Sequence, residues 1–142
     1  MQATGRQGGV AAVEFAVLLI PLMIMTFGMT ELGRAFYYYN SLLKSARDAS
    51  RYLSMHARGE GEAGARCLTV YGKTDCDGEV LVPGLGTGMV QITYETGVET
   101  GQGSIDLVTV TIVGFPFSSF VPFVVASMVF GPIASTMRQG SS

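Results

Sequence analysis

The sequence predicts an α+β protein: a long N-terminal transmembrane-plus-amphipathic helix packed on a small antiparallel β-sheet head. Three observations carry this. An apolar run of about 20 residues, the length that crosses a bilayer as a helix, follows a short polar start. Apolar residues then recur at steps of three and four as far as Leu53. After residue 65 the period falls towards two, with turn residues between the runs.

The chain has 142 residues, room for one domain. Hydrophobic residues make up 48% and charged residues 14%, and the apolar excess sits mostly in the N-terminal block. A formal net charge of -2 offers no basic patch and argues against nucleic acid as a partner.

Residues 1–9 are polar, contain Arg6 and carry no acid. Val10–Met29 (VAAVEFAVLLIPLMIMTFGM) holds one charge, Glu14, and one proline, Pro21. A membrane helix tolerates proline because its surroundings re-satisfy the freed carbonyl. A carboxylate at the bilayer centre costs about 2.5–3.5 kcal/mol on insertion scales, so Glu14 needs a reason. Either it lies near an interface and reaches water, or it pairs with a positive group on a neighbouring helix.

The helical pattern continues. Glu31 and Arg34, three apart, pair just above the membrane. Phe36, Tyr39, Leu42, Leu43, Ala46, Ala49, Ser50 and Leu53 form one stripe of an amphipathic helix, with Arg47, Asp48 and Arg51 mostly off it. Gly59, Gly61 and Gly64 end the helix, so 30–58 is its extramembrane part. Tyr37–Tyr39 reads as an interfacial aromatic belt with a packing role.

The head is expected over 65–133. Leu68–Tyr71, Val80–Val82, Met89–Tyr94 and Ile105–Val113 read as strands of a three- or four-stranded sheet. Residues 96–104 read as a hairpin connection, with Thr109 and Thr111 on the face opposite valine and isoleucine. The apolar, proline-bounded segment Val121–Ile133 is too short to span and suits a membrane or partner contact. Residues 134–142 read as a flexible tail.

Cys67 and Cys76 are the only cysteines. An even, closely spaced pair suggests a disulfide in an exported head; two free thiols in a reducing compartment is the alternative. Asp75, Asp77 and Glu79 resemble part of a calcium loop, but later ligands are missing and a solvated turn fits better. No metal set, cofactor motif, Walker loop or Gly-x-Ser-x-Gly elbow is found, and the lone His56 has no identifiable nucleophile or orienting acid. Catalysis is not expected.

Gly8–Ala16 (GGVAAVEFA), with its basic residue upstream and its Glu-Phe pair, resembles the leader and cleavage region of type IV pilin-like proteins. It is most similar to the TadE-like pseudopilins of tight-adherence (Tad, or Flp) pilus systems. The similarity continues through Phe27–Asn40 and the Ala-Arg-x-Ala-x-Arg-Tyr helix within Lys44–Tyr52, and Phe115–Phe123 is similar to the family's proline-aromatic segment. The resemblance implies a minor pilin that acts in pilus assembly, adherence or secretion, cut by a prepilin peptidase between Gly9 and Val10. Its partners would be the membrane, that peptidase, and other pilins and pilus assembly proteins. Glu14, followed by Phe15, would neutralise the α-amine of a neighbouring subunit and set register. The resemblance also implies the bacterial inner membrane with the head periplasmic, and a place in the extracellular pilus is open to it.

Flanking charges point the other way: Arg6 precedes the span, while Arg34, Lys44, Arg47 and Arg51 follow it. Two alternatives stand beside the pilin reading. One is an uncleaved, membrane-anchored periplasmic binding module; the other is a secreted protein released after Gly28.

Overall fold

A computed structural model describes residues 8–122 and 126–140; the polar start with Arg6, and Phe123 of the aromatic motif, lie outside the described residues. One helix, α1, runs from Gly8 to Ser54 without a break. Its 47 residues correspond to about 70 Å at 1.5 Å per residue. Pro21 lies inside it. The hydroxyls of Thr26 and Thr30 donate to the carbonyls of Leu22 and Thr26 (2.8 and 2.9 Å), so both polar side chains are satisfied within the helix.

The second half of α1 packs on the head. Leu42, Ala46, Ala49 and Leu53 are fully buried, as is Ser50. Most of the expected stripe thus points inward, with two exceptions. Phe36 is 59% exposed and Tyr39 is 44% exposed, while Tyr38 turns toward the core. Tyr38 meets the ring edges of Phe115 and Phe117 (centroids 6.3 and 6.0 Å), and Tyr39 meets Phe130. The inward tyrosine therefore anchors the head.

Strands β1 (Val90–Thr100), β2 (Gly103–Ile112) and β5 (Ile133–Arg138) form an antiparallel sheet in the order β1-β2-β5. Its inner face is built in rungs: Val90–Ile112–Ile133, Ile92–Val110–Ser135 and Tyr94–Val108–Met137. Val108, Val110 and Ile112 are buried, whereas Thr109 and Thr111 lie on the outer face, where the Thr109 and Thr136 hydroxyls meet at 2.8 Å. A two-stranded piece, β3 (Pro116–Phe117) with β4 (Met128–Val129), packs beside it through Phe115, Phe117 and Phe130.

Three expectations are corrected. Leu68–Tyr71 is the end of a second helix, α2 (Glu62–Tyr71), which packs on α1. Gly64 lies within it; Gly61 and Gly72, both at φ 73°, bound it, and the Gly72 amide donates to the Leu68 carbonyl at 3.0 Å. Ala65, Thr69 and Val70 are buried at helical spacing, and the Thr69 hydroxyl bonds the Ala65 carbonyl. Val80–Val82 is irregular: the Leu81 amide donates to the Val70 carbonyl, seating Val82 in the core. Residues 96–104 are mostly ladder, since β1 and β2 continue past a bulge between Glu95 and Val98 to a tight turn after Thr100.

The supposed flexible tail is a further correction. Ile133–Arg138 is a sheet strand because Ile133, Ser135 and Met137 alternate inward. Beyond it, Gln139 Nε2 donates to the His56 carbonyl (2.8 Å) and the Gly140 amide to the Ser54 carbonyl (2.9 Å). These bonds occupy carbonyls that the end of α1 would otherwise leave open. The Cys67–Cys76 disulfide ties buried α2 to the exposed loop after it.

Leu53→Ala should lower the stability of the head by about 2–5 kcal/mol, the cost of a cavity at a fully buried leucine. Phe36→Ala should change it by less than about 0.5 kcal/mol, as for an exposed site. Thermal unfolding followed by circular dichroism separates the two. Replacing both Cys67 and Cys76 by serine should cost about 2–3 kcal/mol through the short loop they close, and a reductant should lower the wild-type Tm but not that of the variant.

Candidate functional site

The candidate site is the first half of α1 and the collar where it enters the head. From Gly9 to Thr30 every residue is exposed except Leu19 and Gly28, which are half-buried. Val13, Phe15, Val17, Leu18, Leu22 and Met25 all project outward, and Met29 is 78% exposed. The apolar surface goes all the way round, so no water-facing side remains. It is long and apolar enough to cross a membrane, and the head covers none of it. Helices apolar on every side belong in an apolar medium.

Glu14 stands on this surface with Phe15 beside it, both exposed. Among the described residues the one ion pair is Glu31–Arg34, so the Glu14 carboxylate has no charged partner within them. Seventeen residues separate Glu14 from Glu31, about 25 Å along the axis. With the collar at one face of a hydrocarbon layer about 30 Å thick, Glu14 lies in its far part. Gly9 and Val10 are both helical and exposed, one turn further from the head.

The collar is built from Glu31, Arg34 and the loop after β3. Glu31 is 4% exposed and accepts from Arg34 at 2.8 Å, the i, i+3 pair expected from the sequence. The same Arg34 nitrogen donates to the Ser118 carbonyl at 2.6 Å. The guanidinium lies over Phe120 and Phe117, 4.2 and 4.5 Å from their centroids, and over Tyr38 at 5.5 Å. The Phe120 amide donates to Glu31 Oε2 at 3.3 Å. The hydrogen bond from Arg34 is the main cause holding the Glu31 carboxyl below its ordinary range; burial opposes it.

The pairing of Glu31 with Arg34 was readable from spacing. Its use as the fastening for Ser118–Phe120 was not, because those residues are more than 80 positions away. The aromatic–proline motif around Phe115–Phe120 was the only local signal.

The remaining candidates lie elsewhere. His56 Nδ1 is 2.8 Å from the Tyr52 carbonyl and its ring packs on Tyr52 at 4.2 Å, a packing role. Asp75, Asp77 and Glu79 are exposed in the disulfide loop, and among the described residues no group of three or more His, Cys, Asp or Glu is placed to hold a metal ion. A groove of mixed polarity, about 370 Å³, runs between α1 and α2, lined by Tyr37, Lys44, Asp48 and Leu81 among others.

The family model for TadE-like protein matches residues 9–51. The matched segment is α1 almost entire: the uncovered half with Glu14, the collar residues Glu31 and Arg34, and the stripe that packs on the head. The TadE-like resemblance is thereby found for the N-terminal third of the chain, and it is consistent with a Tad-pilus-associated protein. TadE-like proteins are structural components of pili, and a single apolar helix is compatible with single-pass membrane anchoring. No curated protein and no solved structure matches the chain.

Because the Glu31 carboxyl is held low, its bonds contribute stability above the ordinary carboxylate range and lose it as pH falls through the lowered value. Acidification below that value should free the Phe120 amide, seen as loss of its hydrogen-exchange protection relative to amides of β2. Glu31→Gln should weaken that protection already at neutral pH and remove its pH dependence.

Proposed function

We propose that this chain is a minor pilin, a pseudopilin of a Tad/Flp type IV pilus system. A prepilin peptidase cuts it between Gly9 and Val10, and it acts in pilus assembly, adherence or secretion. The observation that carries the reading is one helix, matched by the TadE-like model, whose uncovered apolar half holds a lone carboxylate at the fifth position after glycine. Glycine at position 9 has no side chain to obstruct close approach of a peptidase. Cleavage there gives Val10 a free α-amine four residues below Glu14.

In an assembly of such helices, Glu14 of one subunit meets the Val10 amine of another. The pairing offsets the two helices by about 6 Å along their axes, four residues at 1.5 Å each. Neither charge is tolerable alone in a low-dielectric bundle, so the pair selects register more than it adds stability. The apolar surface around Glu14, including Phe15, supplies the packing. Before assembly the subunit is held in the inner membrane by the same helix, with the disulfide-bearing head on the oxidising, periplasmic side. Its partners are the membrane, the peptidase, other pilins and the pilus assembly proteins.

Intact mass and N-terminal peptide mapping of the protein from its native membrane test the processing. A mature chain beginning at Val10 supports the proposal; one beginning at Met1 leaves an uncleaved, membrane-anchored module, and one beginning at Met29 a secreted protein. Glu14→Gln should leave membrane insertion intact and reduce pilus formation, scored by electron microscopy of surface filaments. Normal pili from that variant would remove the pairing.

A further inference from the structure

We propose that the head has its own membrane contact, the Phe120 side chain, which enters the interfacial layer of the leaflet that α1 leaves. The inference rests on the reading of α1 as membrane-spanning and adds a second point of attachment to it.

Phe120 is 80% exposed, the most exposed large apolar side chain of the head among the described residues. Its height on the molecule is fixed, since its amide is bonded to Glu31 and its ring lies on Arg34. Glu31 is two residues past Met29, a rise of about 3 Å. The headgroup zone adds about 5–8 Å on each side of the hydrocarbon core. With the apolar run ending at Met29, Phe120 therefore lies inside that zone. Exposed Met29 and Leu32 on the helix make the apolar surface continuous up to the collar.

Three backbone groups of the loop are bonded within the protein. The Phe120 amide is taken by Glu31, the Ser118 carbonyl by Arg34, and the Val121 amide by the Ser119 hydroxyl at 3.1 Å. Glu31 and Arg34 neutralise each other. Groups bonded in this way lower the cost of seating the loop at the edge of the hydrocarbon layer. Aromatic side chains are enriched at this depth of membrane proteins. The tyrosines the sequence offers for the role are not placed for it: Tyr37 lies about 12 Å beyond Met29, and Tyr38 is committed to the core cluster.

The chain has no tryptophan, so one introduced at a time reports on its own surroundings. The full chain is reconstituted in phosphatidylcholine–phosphatidylglycerol vesicles as three variants: F120W, M25W within the span and E95W on the outer sheet face. F120W should emit to the blue of E95W and show several-fold weaker iodide quenching. Lipids brominated high on the acyl chain should quench it more than lipids brominated near its end, at every lipid-to-protein ratio. M25W should be quenched most by the deep bromines.

If F120W is as open to iodide as E95W while M25W is quenched by lipid, the contact is refuted and α1 still spans. Shielding of F120W that appears only at high protein density assigns the surface to a second copy and also refutes it. Loss of lipid quenching in M25W overturns the spanning reading together with the inference.

Discussion

The close approach of α1 to the sheet is the contact on which the rest of the structure depends. Ala46, Ala49 and Ser50 present almost no side chain between Leu42 and Leu53, so the helix backbone lies near β2 and β5. The one polar meeting in that contact is matched: the Ser50 and Ser135 hydroxyls are 3.0 Å apart, and Ser50 also donates to the Arg47 carbonyl. A larger residue at any of these positions would lift the helix away from Val108 and Val110, and overpacking of this kind costs about 1–3 kcal/mol. A sheet of three strands is too small to bury its inner face alone. The helix is its second layer, and α2 and the aromatic cluster only close the sides.

The same helix is shared between two media. Up to Thr30 its surface is apolar on all sides; from Leu42 one side is buried by protein and Arg47, Asp48 and Arg51 face water. The Glu31–Arg34 pair marks the change. It separates an uncovered apolar half, compatible with a membrane anchor, from a half that completes the core of the head. The TadE-like match covers this element and none of the sheet.

Much of this was legible in the sequence because helical periodicity is long and local. The continuous helix, the buried stripe, the hairpin formed by Val90–Ile112 and the cysteine pair could all be read from it. Misread segments were short or ambiguous. Leu68–Tyr71 has β-branched and aromatic residues, yet four positions cannot distinguish a strand from the last turn of a helix when Gly61 and Gly72 set the ends. Ile133–Arg138 looked like a tail because its outward residues are small or polar; only pairing with β2 reveals it as a strand. The collar was invisible for another reason, since it joins Glu31 to a loop near the other end of the chain. For Glu14, the sequence states the problem, a carboxylate in an apolar surface, and the fold leaves it uncovered.

The bonds from Gln139 and Gly140 to the carbonyls of His56 and Ser54 tie the end of α1 to the last strand of the sheet. The helix therefore runs as one continuous rod from the apolar segment to this tie. Tension applied at that tie has a direct route down the rod to the apolar segment, alongside the sheet. A subunit built in this way resists being pulled apart along its length even though its head, as a folded unit, is small.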